Sequence, residues 1–175
     1  PAAPVVATAI RFSRGQALNH GVQPIPAAVR QELSPYFPPQ ILDKARWTTA
    51  DGISIDGALK NWFNQEGAIT YDEVIVFANV QLTNNIELWA HELTHVLQYS
   101  QMGVETFAFQ YTVDWNGLEN QARSNASRIV ASINSTRNGQ ARSWGYEGQP
   151  VAVSNRMTWA DVNQAAKLAI PPQQC

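Results

Sequence analysis

Two histidines four residues apart, with a glutamate directly after the first, restrict this chain more than any other run in it: His91-Glu92-Leu93-Thr94-His95. Side chains at i and i+4 share a helix face, so a helical backbone here aims both imidazoles at one point. Their nitrogens can then meet a single metal ion at about 2.0–2.1 Å. Glu92, about 100° round the helix, points beside that ion and reaches a water bound to it. A metal in such a place ionises the water near neutral pH and polarises a scissile carbonyl, while the carboxylate collects the proton and passes it to the leaving amine. Two of the three histidines in 175 residues occupy the pattern. Shuffling this composition would produce it only about one or two times in a thousand.

The setting fits a buried helix. Asn84 with Glu87 three residues on forms a capping box, and Gly103 supplies a left-handed stop, which predicts a helix over about 85–102. Leu88, Trp89, Leu93, Val96 and Leu97 give it core contacts on both flanks. The run from Ala68 to Phe77 just before it is the best strand candidate, bent or turned near Asp72. Upstream, Pro26 opens a helical stretch through Leu33 that Pro35 and Pro38-Pro39 close, and a short helical piece follows from Gln40 to Lys44. Arg46 to Ile55 reads as short strands with turns at Asp51-Gly52 and Asp56-Gly57. Ala58 to Gln65 reads as one or two helical turns ending at Gly67. Downstream, Leu118, Ala122, Ala126, Ile129 and Ile133 keep step in a helix from Asn116 to about Thr136, before Asn138-Gly139. The expected organisation is one α+β domain over 1–175. Residues 1–24 are irregular with a short strand at Val5 to Phe12, and 138–175 form a loop, with Trp144 and Tyr146, followed by a C-terminal helix from Thr158 to Ala169 that Pro171 ends.

A catalytic zinc commonly takes three protein ligands and keeps one position for water, so one more is needed. The collagenase-like extension would place a third His six residues after His95, but that position is Gln101, and position 98 is Gln rather than Gly; that subclass is excluded. The remaining pattern is a Glu from a second helix, and Glu119 is the first candidate. Ala122 and Ala126, along the same flank, are small enough to let two helices approach closely. A competing role exists, because Asn116-x-x-Glu119 is itself a capping box and a first-turn carboxylate complements the helix dipole without a metal. Asp114, then Glu105, and more remotely His20 are the other candidates. A His-His-Glu set suits zinc, and Mn, Co or Ni would fit it as well.

Composition removes other classes. A net charge of −2 with no basic block argues against a nucleic-acid surface. The longest apolar run, Val74 to Ala78, is far short of a membrane span. No Gly-rich phosphate loop occurs, and a lone Cys175 can neither pair internally nor build a thiolate metal cluster. The opening Pro-Ala-Ala-Pro fits a processed or trimmed start, and the compartment stays open.

His91-Glu92-x-x-His95 with a helix-borne Glu119 resembles the gluzincin branch of the zincin metallopeptidases. More closely, Ile25 to Arg123 resembles the core domain of extracellular contractile injection system proteins. The matching residues are Ile25-Pro-Ala-Ala-Val-Arg30, Lys44-Ala-Arg-Trp47, Ala68-Ile-Thr70, Val74-Ile-Val-Phe77, His91-Glu-Leu-Thr-His-Val-Leu-Gln98, Gly103-Val-Glu-Thr-Phe107 and Leu118-Glu-x-x-Ala122. The resemblance implies a zincin-like α+β fold. Its small, mostly antiparallel sheet would set an edge strand near Ala68 to Phe77 over the metal helix, where an extended peptide could pair. A second long helix would carry the third ligand. His91, His95 and Glu119 carry over as ligands of one catalytic zinc ion, and Glu92 as general base. Gluzincins also use a Tyr or His to stabilise the oxyanion; here that donor would be a Tyr or Arg, and Tyr111 is the candidate ahead of Tyr99 and Tyr146. Tyr111 also fits an aromatic cluster with Phe107 and Phe109. The expected activity is zinc-dependent hydrolysis of peptide bonds in a peptide or protein substrate. The alternative is a zincin-like zinc-binding module, weakly active or inactive, that serves structure or interaction in a secretion or toxin-delivery system. An intact Glu92 favours the first, since a structural zinc site takes four protein ligands and needs no base. Secretion or export is the expected setting.

Overall fold

A four-stranded mixed sheet separates two groups of helices. A computed structural model describes residues 2–143, with side chains through residue 140. The elements run α1 (Ala3–His20), β1 (Gln23–Pro24), α2 (Ala27–Leu33), α3 (Pro39–Lys44), β2 (Arg46–Thr49), α4 (Lys60–Glu66), β3 (Ala68–Tyr71), β4 (Val74–Phe77) and α5 (Ile86–Ser143). The loop with Trp144 and Tyr146 and the helix expected over Thr158 to Ala169 lie outside the described residues. None of the described helices is long and apolar enough to cross a membrane.

The strand order is β1-β2-β4-β3. β3 and β4 form a hairpin in which Ala68 faces Phe77 and Tyr71 faces Val74, turned at Asp72, whose φ of 57° is positive. The run from Ala68 to Phe77, expected to be a strand bent or turned near Asp72, is two strands that turn back on each other there. β2 pairs with β4 in parallel, which the long connection through α4 permits, and β1 is antiparallel to β2. The sheet is therefore mixed: two of its three pairings are antiparallel, in keeping with the mostly antiparallel sheet expected, and the central one is parallel. Of the strands expected between Arg46 and Ile55, only Arg46–Thr49 forms.

Alternation across the strands assigns the two faces. Ala68, Ile75 and Phe77 pack with Trp89, Ala90 and Leu93 of α5 and with Leu33, Ile41 and Leu42 of the α2–α3 region. Trp47 lies on this side too, edge-on to both Phe77 and Trp89. Ile69, Tyr71, Val74 and Val76 pack on the other side with Val6 and Ile10 of α1, Trp62 of α4, and Tyr99, Phe107 and Leu118 of α5.

Residues 3–20 are not irregular and hold no strand at Val5 to Phe12: Ala3–His20 is an 18-residue helix. Val5, Val6 and Ile10 are β-branched and locally favour a strand. The buried residues, Val6, Ala7, Ala9, Ile10, Ser13 and Ala17, follow a helical rather than an alternating spacing, and they are covered by α5 and the sheet. Arg14 donates Nε to Glu73 Oε2 at 2.7 Å, and Arg11 pairs with Glu105, tying α1 to the hairpin and to α5.

α5 begins at Ile86, capped by Asn85 rather than Asn84: Asn85 Oδ1 accepts from the backbone N–H groups of Glu87 and Leu88. As expected, the first helical stretch of α5 stops at Gly103, whose φ of 76° is positive; its ψ of 166° lies outside the left-handed helical region, in a conformation open essentially to glycine alone, and α5 continues beyond it as a new stretch. Asp114 (φ −150°, ψ 60°) breaks it again, and the last stretch runs on past the expected end at Thr136 to Ser143.

The helical face of α1 makes a direct prediction. Ile10→Ala should lower unfolding free energy by about 2–5 kcal/mol. Phe12→Ala, at a side chain that is 61% exposed, should change it by less than about 0.5 kcal/mol. Urea denaturation at fixed metal content measures both; a strand would put positions 10 and 12 on one face and make both substitutions costly.

Candidate metal centre

The first stretch of α5 carries His91, Glu92 and His95 in the interior, since Trp89, Ala90, Leu93 and Val96 around them fill the core. His91 Nε2 and His95 Nε2 are 3.1 Å apart. A straight helix from His91 to Glu119 would separate those residues by about 42 Å at 1.5 Å per residue. The breaks at Gly103 and Asp114 return the chain instead. Glu119 Oε2 comes to 3.2 Å from His91 Nε2, and Glu119 Oε1 to 3.1 Å from His95 Nε2. One ligand atom from each of the three residues lies within 4.8 Å of the others, and all three residues are buried.

The break at Asp114 also decides between the two roles open to Glu119. Asp114 Oδ1 accepts from the backbone N–H of Gly117 at 3.0 Å and so caps the last stretch itself. Glu119 is released from capping and turns inward. Gly117 must stay small for this cap, because a Cβ there would stand 2.1 Å from Asp114 Oδ2.

The donor set fits a divalent cation. Glu119 Oε1 and Oε2 and Glu92 Oε1 are buried with no hydrogen-bond donor directed at them. His91 Nε2 and His95 Nε2 stand 3.2 and 3.1 Å from the Glu119 oxygens and 3.1 Å from each other, so the three side chains crowd around one point. Buried carboxylates without compensation are costly, and a cation among these atoms supplies it. Burial pushes the Glu119 carboxyl up, but the two imidazoles pull it down further, to about 2. Burial pushes the His95 imidazolium down, and Glu119 beside it more than reverses this, so the net direction is up. For Glu92 burial wins: its carboxyl is raised although His91, His95 and the Thr70 hydroxyl act against the shift.

Glu92 is held from the sheet. Thr70 Oγ1 donates to Glu92 Oε2 at 2.7 Å, leaving Oε1 3.9 Å from His91 Nε2. β3 is the edge strand and lies against α5 as expected, but it is not open to a pairing peptide. Its four residues are all buried, with α1, α4 and α5 in contact with it. Trp62 of α4 stands edge-on to His95 with ring centroids 5.3 Å apart and stacks on Phe107. Arg123 pairs with Glu66 at the end of α4 and lies 3.8 Å from Glu119 Oε2.

The other candidates lie elsewhere. Tyr111 packs on Trp62 at 5.4 Å, one ring removed from His95. Tyr99 is buried and stacked on Phe107. Glu105 is exposed and paired with Arg11, and His20 sits exposed at the end of α1 near Gly52. Tyr146 is outside the described residues. Sequence reading missed Thr70, Trp62 and Gln98. Thr70 shares a strand face with Ala68, and Gln98 follows His95 by three residues on one helix face, so both signals were present once the partner elements were known.

Residues 24–103 match the family described as the eCIS core domain. This relates the chain to extracellular contractile injection system proteins over the stretch that holds the sheet, His91, Glu92 and His95; Glu119 falls beyond it. No curated protein and no solved structure matches the chain.

The paired shifts give the metal-free chain a stability optimum. Glu119, depressed from 4.5, contributes fully above about pH 4.5 and loses its contribution as pH falls toward 2. His95, raised from 6.5, contributes fully below about pH 6.5 and loses its contribution as pH rises through its folded value. Glu92, raised from 4.5, loses its contribution as pH rises above about 4.5, so urea unfolding of chelator-treated protein should show a maximum near pH 4.5, and Glu119→Gln should flatten the acid limb and weaken the alkaline one.

Proposed function

We propose that this chain is a zinc-binding domain of a contractile-injection-type delivery system, with one zinc ion held by His91, His95 and Glu119. The observation that carries the reading is the convergence of these three buried ligands from two stretches of a broken helix. The match to the eCIS core domain supports the delivery setting and, with it, export of the protein. Enclosure supports a role in structure or interaction ahead of open hydrolysis. His91 is 5% exposed, His95, Glu92 and Glu119 are 0% exposed, and the β3 edge that would take an extended peptide is covered.

A second reading, zinc-dependent endopeptidase, is favoured by one observation: Glu92 is not spent as a ligand. Zinc in such a site activates water and polarises a carbonyl. Glu92 would take the proton of the attacking water on Oε1 and return it to the leaving nitrogen, while Thr70 fixes Oε2. Glu92 is 0% exposed and Trp62 stands against His95, so a peptide would reach the site only after elements around it moved. Tyr111 is the nearest proposed oxyanion donor and would also need that movement, because it packs on Trp62.

Metal analysis of the purified chain, run with a peptide-library cleavage assay with and without chelator, tests both readings. One zinc per chain without cleavage is expected for the binding domain. Cleavage abolished by chelator and by Glu92→Gln would replace that reading with the peptidase, and absence of any bound metal would overturn both. Glu92→Gln should keep native zinc stoichiometry and melting temperature. Glu119→Ala should weaken zinc binding on the order of 100-fold or more, since two imidazoles alone hold the ion poorly; retention of tight zinc would remove Glu119 from the ligand set.

A further inference from the structure

Gln98 lies one helical turn after His95, is 4% exposed, and takes no part in the ligand set. Its contacts nevertheless determine what His95 can do. Gln98 Nε2 is 3.2 Å from the backbone carbonyl oxygen of Leu118, and a carbonyl oxygen can only accept. The amide NH2 must therefore face Leu118, and the same nitrogen donates to Gln121 Oε1 at 3.2 Å. Gln98 Oε1 is left facing His95 Nδ1 at 2.8 Å. An amide oxygen cannot donate, so the proton of neutral His95 must sit on Nδ1. Nε2 then keeps its lone pair, directed toward His91 Nε2 and Glu119 Oε1.

We infer that Gln98 is a positioning residue for the metal: it locks His95 in the tautomer that ligates a divalent cation through Nε2, using the Leu118 carbonyl beside Glu119 as its reference. Metal-bound histidines are commonly oriented by an acceptor on their other ring nitrogen. Here the acceptor is itself oriented by the backbone next to the third ligand. One amide therefore couples the helical turn that carries His95 to the stretch that carries Glu119. The inference rests on the metal reading above, and the test separates the two.

The probe is zinc. Heteronuclear NMR of the native chain labelled with 15N-histidine, with and without zinc, reads the tautomer directly, and the three histidines keep the spectrum assignable. The expected result is His95 protonated at Nδ1, with zinc-induced shifts at Nε2. In chelator competition, Gln98→Leu should weaken zinc binding about 10–100-fold. Gln98→Glu retains an oxygen acceptor in either protonation state and should recover most of that loss. Zinc bound with the His95 proton on Nε2 would overturn the role of Gln98 while leaving the metal site standing. So would native affinity in Gln98→Leu, or a loss in Gln98→Glu equal to that in Gln98→Leu. A folded native chain that takes up no zinc would overturn the site and the inference together. If Gln98→Leu does not fold, the tautomer in the native chain decides.

Discussion

Two imidazoles and two carboxylates share the interior of this protein, and the fold is arranged around making that tolerable. Ionised carboxylates are strongly penalised inside a protein unless opposite charge or directed donors meet them. Glu92 receives one hydroxyl at Oε2. Glu119 receives no directed donor on either oxygen, although both His Nε2 atoms stand beside it. His91, His95 and Glu119 form a group that could hold a divalent ion, which would satisfy these atoms together. The two breaks in α5 are what bring these atoms together, since an unbroken helix would leave Glu119 tens of ångströms from the histidines.

The two breaks work differently. At Gly103 the backbone takes a conformation that a side chain would penalise, so the residue type is the device. At Asp114 the device is a side chain: its carboxylate caps the stretch that follows and spares Glu119 that task. Around the breaks, polar contacts hold the returning stretch to the first one. Asn125 Nδ2 donates to Thr94 Oγ1 at 2.9 Å in the buried interface, and Gln98 spans from His95 to Leu118. These contacts are short and directional, so they fix the relative position of the two stretches more tightly than apolar packing alone.

The sheet contributes on its inner face through Thr70 and on its edge through concealment. A strand that pairs on one side only usually presents free N–H and C=O groups to solvent or to a partner. In β3 that edge is inside, with helices in contact around it and Trp62 against the face of the metal centre. The same strand that orients Glu92 is thereby withheld from peptide pairing.

Local chemistry was legible in the sequence. The His91 and His95 spacing, the hairpin region from Ala68 to Phe77, the left-handed Gly67 and the small residues flanking Glu119 all follow from geometry within a few positions. What depended on distant partners was not. The strand read at Val5 to Phe12 is helix because its apolar period meets α5 and the sheet, which override β-branched propensity. Asn116-x-x-Glu119 could be a cap or a ligand turn until Asp114 took the cap. Burial of the β3 edge, the pairing of Thr70 with Glu92 and the seat of Trp62 on His95 join residues far apart in the chain. Short-range order is set by backbone sterics and i to i+4 contact, which the sequence carries by itself. Convergence and enclosure arise only when whole elements pack, and only the tertiary structure decides them.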